Sequence, residues 1–352
     1  MVRRGLCAPP ARRSASGELA RLGRGESPVQ KVYVTRPLAD QALAELCEEV
    51  EVTVWPDPEA PPPREEMVRS VREADGLLCL LTDSVDAEVI AAGKRLRVIS
   101  NCAVGYDNVD VAAATARRVM VCNTPGVLTE TTADLAWALM MAAARRLCQA
   151  DRYLRAGRWR SWSPQLLLGQ DVYGATLGII GLGRIGQAMA RRAKGFGMRV
   201  LYHDPERKLE AEEALGAEFA EMPQLLRESD FVSIHAPLNE RTRHLIGAEE
   251  LVLMKPTAVL VNTARGAIVD GEALAKALRE GRIFAAGLDV FEREPLPLDD
   301  ELVGLENVVL LPHIGSASVA TRTRMARMAV ANLLAGLKGE RPPYLVNPEV
   351  LA

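Results

Sequence analysis

Two α/β modules, each a parallel sheet covered by helices on both faces, are predicted by three observations on this sequence. Short β-branched runs alternate with amphipathic helical patterns from Lys31 to Pro312, as strand–helix–strand crossovers require. The alternation falls into two series, separated by a long helical pattern and a tryptophan-containing loop. At 352 residues, the chain is also longer than one hydrophobic core usually serves.

The first series opens with KVYVT (31–35), an amphipathic stretch to Glu49, VEVTVW (50–55) and a proline-rich linker. GLLCLL (76–81), RVIS (97–100) and VMVC (119–122) follow as further strands. Thr129 to Leu147 reads as one helix, with Leu135, Leu139 and Ala142/Ala143 recurring at helical spacing. After Trp159 and Trp162 the second series runs ATLGIIG (175–181), MRVLYH (198–203), DFVSIH (230–235), AVLVNT (258–263), AAGLDV (285–290) and NVVLLP (307–312). Pro312 closes that series, so the final helix, about Val319 to Leu337, is expected to complete the first module. The expected division is a leader (1–28), a discontinuous domain (29–128 and 316–352) and a continuous one (129–315). No internal duplication is visible at the residue level.

Composition narrows the function classes. With 48% hydrophobic and 25% charged residues and a net charge of −3, nothing electrostatic points to nucleic acid or an anionic membrane as partner. The longest apolar stretch, Leu135 to Ala144, is half of what a spanning helix needs, so a soluble protein is expected. Six scattered cysteines (Cys7, Cys47, Cys79, Cys102, Cys122, Cys148) contain no C-x-x-C pair. That spacing favours a reducing compartment, here the cytoplasm, over a disulfide framework or a metal site. Residues 1–28 carry six Arg against two Glu without apolar periodicity. They read as a disordered leader, with an Arg-rich targeting peptide as the alternative.

Gly181-Leu182-Gly183-Arg184-Ile185-Gly186 matches G-x-G-x-x-G, follows a strand and opens a helix, which is the context a dinucleotide site requires. Gly181 permits the tight turn, Gly183 lets backbone approach a pyrophosphate, and Gly186 lets helix pack on strand. The helix N-terminus offers N–H groups and a positive dipole end to the phosphates. Asp204 ends the next strand eighteen residues beyond Gly186, where an acid binds a ribose 2′-hydroxyl, so NAD is the expected cofactor and NADH is preferred. Arg207 and Lys208 follow closely and could accommodate the 2′-phosphate of NADPH.

Hydride transfer to the carbonyl of an oxo acid needs a cation for the carboxylate, an acid for the developing alkoxide, and a group that tunes the acid. Four histidines allow elimination. His203 sits beside Asp204 at the adenosine end, His244 lies in a polar turn and reads as solvated, and His235 lacks an acid nearby in sequence. His313, in Pro312-His313-Ile314-Gly315-Ser316, ends the last strand at the carboxyl edge where open α/β sheets place ligands. Arg265 follows another strand and suits a bidentate carboxylate clamp. The loop Asp289 to Pro295 supplies a carboxylate to pair with His313, and spacing alone leaves Glu292 and Glu294 open.

Together these blocks resemble the D-isomer-specific 2-hydroxyacid dehydrogenase family, from about Lys31 to Val350. The matching segments are Ala103 to Asp110, the glycine loop, Asn262 to Gly266, Gly287 to Pro295 and Pro312 to Ser318. Trp159 to Trp162, Asp171 to Gly174 and Leu345 to Asn347 are most similar to its glyoxylate/hydroxypyruvate reductases. The resemblance implies an enzyme interconverting a small 2-oxo acid and its 2-hydroxy acid, with two Rossmann-like doubly wound domains. It implies that Arg265 binds the substrate carboxylate and carbonyl, that His313 is the general acid, and that Glu294, directly before Pro295, is its partner. Val104 and Gly105 would hold the carboxylate through backbone N–H groups, and Asp289 the nicotinamide carboxamide. Thr263, Ala264 and Gly315 would line the nicotinamide end. A homodimer through the nucleotide domain is implied too, with a tryptophan of the 159–162 loop either reaching the partner's site or packing in the contact. One departure concerns the coenzyme. Many reductases resembling this chain carry a Ser-Arg pair and prefer NADPH, whereas Asp204-Pro205 stands here and would repel a 2′-phosphate. Two rivals share these motifs: 3-phosphoglycerate dehydrogenase, and an NAD-sensing corepressor-like binding protein without catalysis.

Overall fold

The computed structural model describes residues 5–7 and 29–352. The chain splits into two compact units, Met1–Val127 with Ser318–Ala352, and Leu128–Ala317. The first holds β1 (Gly5–Cys7), β2 (Lys31–Val34), β3 (Glu51–Val54), β4 (Gly76–Cys79), β5 (Val98–Asn101) and β6 (Met120–Cys122). Their order is β1-β3-β2-β4-β5-β6. From β2 onward all pairings are parallel, with the order reversing at β2. β4 and β5 are buried throughout, as the unbroken apolar run Gly76 to Leu81 demands of a strand covered on both faces.

One cover of this sheet comes from the far end of the chain. The helix Val319–Lys338 buries Met325, Ala329 and Leu333, capped at its start by the Ser318 side chain on the Thr321 N–H. It approaches β4 closely because Gly76 has no side chain: a Cβ there would stand 3.1 Å from Leu333 Cδ1. Beyond the helix the chain returns along β6. Asn347, 1% exposed, accepts the Val121 N–H at 2.8 Å and donates to the Val119 carbonyl at 3.0 Å. Its amide thus does for the edge of β6 what another strand would do.

The second unit holds β7 (Thr176–Ile180), β8 (Arg199–His203), β9 (Ala217–Phe219), β10 (Phe231–Ile234), β11 (Val259–Asn262), β12 (Ala285–Leu288) and β13 (Val308–Leu310). The order β13-β12-β11-β10-β7-β8-β9 is parallel throughout and reverses at β7. Helices Thr129–Ala144 and Arg184–Gly195 cover one face, Leu139 seated where Gly287 leaves room; a Cβ on Gly287 would meet Leu139 Cγ at 2.6 Å. Each sheet is therefore doubly wound, with its strand ends gathered on one edge.

Some local features differ from the sequence reading or lie outside it. The helix from Thr129 stops at Ala144, because Arg146 takes a left-handed conformation (φ 53°) and starts a separate helix, Leu147–Arg155. β9 was not foreseen; three residues, Ala-Glu-Phe, carry no readable alternation. Within the supposed leader, Gly5–Cys7 pairs antiparallel with β3, while the rest of 1–28 lies outside the described residues. Buried thiols behave as small hydrophobes: burial pushes Cys102 and Cys122 up to about 12.

Replacing Asn347 with Ala strands a buried donor and acceptor on β6 and should cost about 1–3 kcal/mol. Denaturant unfolding of the variant checks this, and an unchanged midpoint would remove the edge-pairing role.

Candidate active site

β11, β12 and β13 are neighbours in the sheet, so the loops leaving their carboxyl ends are neighbours too. They carry Arg265, Asp289 to Glu294, and His313. At the first loop, Asn262 sets the turn: its Oδ1 accepts the Ala264 N–H at 3.0 Å and its Nδ2 donates to the Arg265 carbonyl at 2.8 Å. Gly266 then lets this turn lie directly on the second loop, since a Cβ there would fall within 1.8 Å of the Phe291 carbonyl carbon.

On the second loop, Asp289 is fully buried, and its two oxygens accept the N–H groups of Ile314 and Gly315, each at 2.8 Å. Those N–H groups belong to the turn that carries His313, which itself sits at φ 53°. Burial raises the Asp289 carboxyl above its ordinary value, and the two N–H groups and His313 offset this only in part. Glu294 behaves oppositely. Burial raises it too, but the His313 hydrogen bond and charge, the Phe291 N–H and Arg265 outweigh burial and hold it below the ordinary carboxylate range. His313 Nδ1 lies 2.8 Å from Glu294 Oε2 and the Phe291 N–H donates to Oε1 at 3.0 Å. With Nδ1 turned to Glu294, Nε2 is the ring nitrogen left for a reacting group.

Glu292 is the other acid of this loop, and it pairs elsewhere: its Oε1 lies 2.5 Å from His244 Nε2. His244, read from sequence as solvated, is half-exposed and in contact with this carboxylate. His203 Nδ1 faces the Ala220 carbonyl at 3.1 Å, and His235 Nε2 faces Ser233 Oγ at 2.8 Å.

On the same edge, β7 and β8 place the glycine loop and Asp204. Gly181 adopts φ 92° and packs against the segment that leaves β10; a Cβ would meet Ala236 N at 2.8 Å. A Cβ on Gly186 would strike the Gly181 carbonyl at 2.2 Å, so helix and strand touch there. At Gly183 a Cβ would meet nothing within 4 Å, which leaves open space over the N-terminus of Arg184–Gly195. Thr263 Oγ1 is buried without a protein partner. An open cradle at a helix N-terminus and a waiting hydroxyl beside Arg265 fit a dinucleotide. Asp204 Oδ2 accepts the Leu182 N–H at 3.0 Å, which fixes its carboxylate at the loop. Arg207 is engaged by both oxygens of Glu212, at 3.0 and 2.7 Å, and Lys208 Nζ lies 3.6 Å from Asp204.

Asn262, Gly266 and the bracing by Asp289 were not given these roles by sequence reasoning. An Asn and a Gly flanking an Arg just after an apolar strand is a turn signal that could have suggested the first two. In the first unit, Val104 and Gly105 lie on the loop after β5, half-buried, with Asn123 Nδ2 on the Val104 carbonyl at 2.7 Å.

Residues 137–315 match the profile described as D-isomer specific 2-hydroxyacid dehydrogenase, NAD binding domain. The chain is 57% identical over 322 residues to a glyoxylate reductase of Korarchaeum cryptofilum, covering 91% of this chain and 97% of that one. A solved protein from Thermus thermophilus superposes with TM-score 0.85 at 48% identity, over 90% of this chain and 100% of that one. An NADPH-dependent glyoxylate/hydroxypyruvate reductase from Sinorhizobium meliloti, solved with NADP and malonate, gives TM-score 0.78 at 34% identity, over 91% and 97% of the two chains. Among the described residues no helix is long and apolar enough to cross a membrane, and no cluster of His, Cys, Asp or Glu is placed to hold a metal ion.

The half-buried His235 yields a pH dependence, because burial lowers its pKa from 6.5 to about 3. Between those values the unfolded chain binds more protons than the folded one. Its contribution is therefore complete above the ordinary value and is lost as pH falls through the window, by at most about 1.4 kcal/mol per pH unit. His235→Gln should lose less stability than the parent between about pH 7 and about pH 5; equal losses in denaturant unfolding would exclude His235 as the source.

Proposed function

Because this chain belongs to the D-isomer-specific 2-hydroxyacid dehydrogenase family, we propose that it reduces glyoxylate and hydroxypyruvate to glycolate and D-glycerate. It is an NAD(P)-dependent oxidoreductase. The observation that carries the reading is the 2.8 Å His313–Glu294 pair next to Arg265, on the sheet edge that also carries the glycine loop. The relatives' names favour this substrate class over a phosphorylated acid or a non-catalytic sensor.

The glycine loop Gly181 to Gly186, with Leu182, Arg184 and Ile185 between its glycines, holds the pyrophosphate, and Thr263, Ala264 and Gly315 line the nicotinamide end. When bound, the coenzyme supplies a hydride to the 2-carbon of the substrate. Arg265 binds the substrate carboxylate and polarises its carbonyl. The N–H groups of Val104 and Gly105, in the first unit, are read as carboxylate donors in their own right. His313 donates the proton on Nε2 to the developing alkoxide, and Glu294, its carboxyl held below the ordinary range, accepts at Nδ1 and fixes the ring's orientation. Asp289, already holding the His313 turn through two N–H groups, keeps that histidine in place; a carboxamide contact would be additional.

NADH is the preferred coenzyme in this reading. Asp204 would face a 2′-phosphate with like charge, and Arg207, three residues further on, is already bound to Glu212. The protein acts as a homodimer through the second unit: helix Leu147–Arg155 has no buried residue, and Leu147, Leu154, Trp159 and Trp162 are exposed on the chain alone. Sedimentation should give twice the chain mass, and a monomer would remove the dimer.

Absorbance at 340 nm with glyoxylate, hydroxypyruvate, phosphohydroxypyruvate and pyruvate, each with NADH and NADPH, tests the function. Highest kcat/KM is expected for glyoxylate or hydroxypyruvate with NADH. Preference for the phosphorylated acid would move the protein to serine biosynthesis, and no turnover would favour a binding protein. NADPH preference would keep the reaction and overturn the Asp204 argument. His313→Gln should lower kcat by about 100- to 10,000-fold while NADH binding stays nearly intact.

A further inference from the structure

We propose that Asn101 and Asn123 are positioning residues that turn three successive N–H groups, those of Val104, Gly105 and Tyr106, outward as a cradle for the substrate carboxylate. The proposal rests on the carboxylate-binding reading of this loop and adds the device that orients it, together with a third donor.

The loop after β5 has its carbonyls tied one after another. The Thr124 N–H donates to the Ala103 carbonyl at 2.8 Å. Asn123 Nδ2 donates to the Val104 carbonyl at 2.7 Å, and Asn101 Nδ2 to the Gly105 carbonyl at 2.9 Å. In a trans peptide the N–H points opposite to the C=O of the same plane. Holding the carbonyls of Ala103, Val104 and Gly105 against the protein therefore turns the N–H groups of Val104, Gly105 and Tyr106 the other way. Among the described residues none of these three N–H groups has an acceptor. Val104 and Gly105 are half-buried and Tyr106 is exposed, so this stretch of loop reaches the surface of the first unit. A run of backbone donors without partners, at the carboxyl edge of a parallel sheet, suits a carboxylate.

Both asparagines are themselves held. Asn101 is fully buried and also donates to Asn108 Oδ1 at 3.0 Å. Asn108 Nδ2 in turn reaches the Leu80 and Asp83 carbonyls, each at 3.0 Å. The Asn123 carbonyl accepts from Asn332 Nδ2 at 2.9 Å, and Asn332 is fully buried in the helix Val319–Lys338. The Asn101 side chain and the Asn123 backbone, fixed in this way, direct the two NH₂ groups onto the loop carbonyls, which a free surface amide would not do.

Asn→Asp is the sharp test, since it keeps shape while replacing the donor with an acceptor that repels the carbonyl. In Asn123→Asp and Asn101→Asp, KM for glyoxylate should rise and affinity for oxalate fall by about tenfold or more, with NADH affinity changed less than about twofold. Asn123→Ser, which removes the donor without adding charge, serves if the aspartate variants do not fold. Folded variants with parental oxalate affinity and KM would overturn the proposal. Equal losses of NADH and oxalate affinity, or failure of all three variants to fold, would assign the asparagines to general stability and overturn it too. If the parent itself fails to reduce glyoxylate, the proposed reaction falls, while oxalate titration still reads the cradle.

Discussion

A parallel strand must deliver its chain to the same edge of the sheet every time, and the second unit uses that constraint seven times. Arg265, Glu294 and His313 are distant in sequence, yet each leaves one of three adjacent strands at its carboxyl end. The glycine loop and Asp204 leave β7 and β8 on the same edge, where the strand order reverses. Proximity of loops is then converted into fixed geometry by two contacts. Gly266 lets the Arg265 turn rest on the Phe291 backbone, and Asp289 grips the His313 turn from beneath. Remove either and the side chains would remain on the edge without a defined spacing.

The same loop shows how environment separates two chemically identical groups. Asp289 and Glu294 both lose solvent, which favours their protonated forms. Asp289 meets mainly backbone N–H groups and ends raised. Glu294 meets an imidazole and a guanidinium in addition to one N–H, and ends lowered. A brace that bonds to N–H groups and a hydrogen-bond partner for a histidine therefore arise five residues apart, from burial and neighbours alone.

Much of this was legible because some signals are local. The apolar runs, the glycine loop with its acid, and an Arg or His directly after a strand all state their position in consecutive residues. What escaped reading depends on partners distant in sequence or on single dihedral angles. Nothing around Arg146 announces a left-handed residue that ends one helix and begins another. Ala217 to Phe219 is too short to show a period. His244 is exposed as expected, but its contact with Glu292 was unreadable because that acid is far along the chain. Asn101 and Asn123 looked like ordinary loop residues, since their role lies in which carbonyls they face. Distinguishing Glu294 from Glu292 likewise needed the family resemblance, as both are within reach of the same strand end.

The helix Val319–Lys338 has a consequence for how the molecule is made. The first unit's sheet is written early in the gene, yet the helix that buries Leu333 against β4 is translated after the entire second unit. On the ribosome, β2 to β6 must therefore wait with one apolar face uncovered while the middle of the chain emerges with everything it needs to fold. Domains ordinarily fold in the order of their synthesis. For the first unit that order cannot be completed until the last helix of the chain has been made.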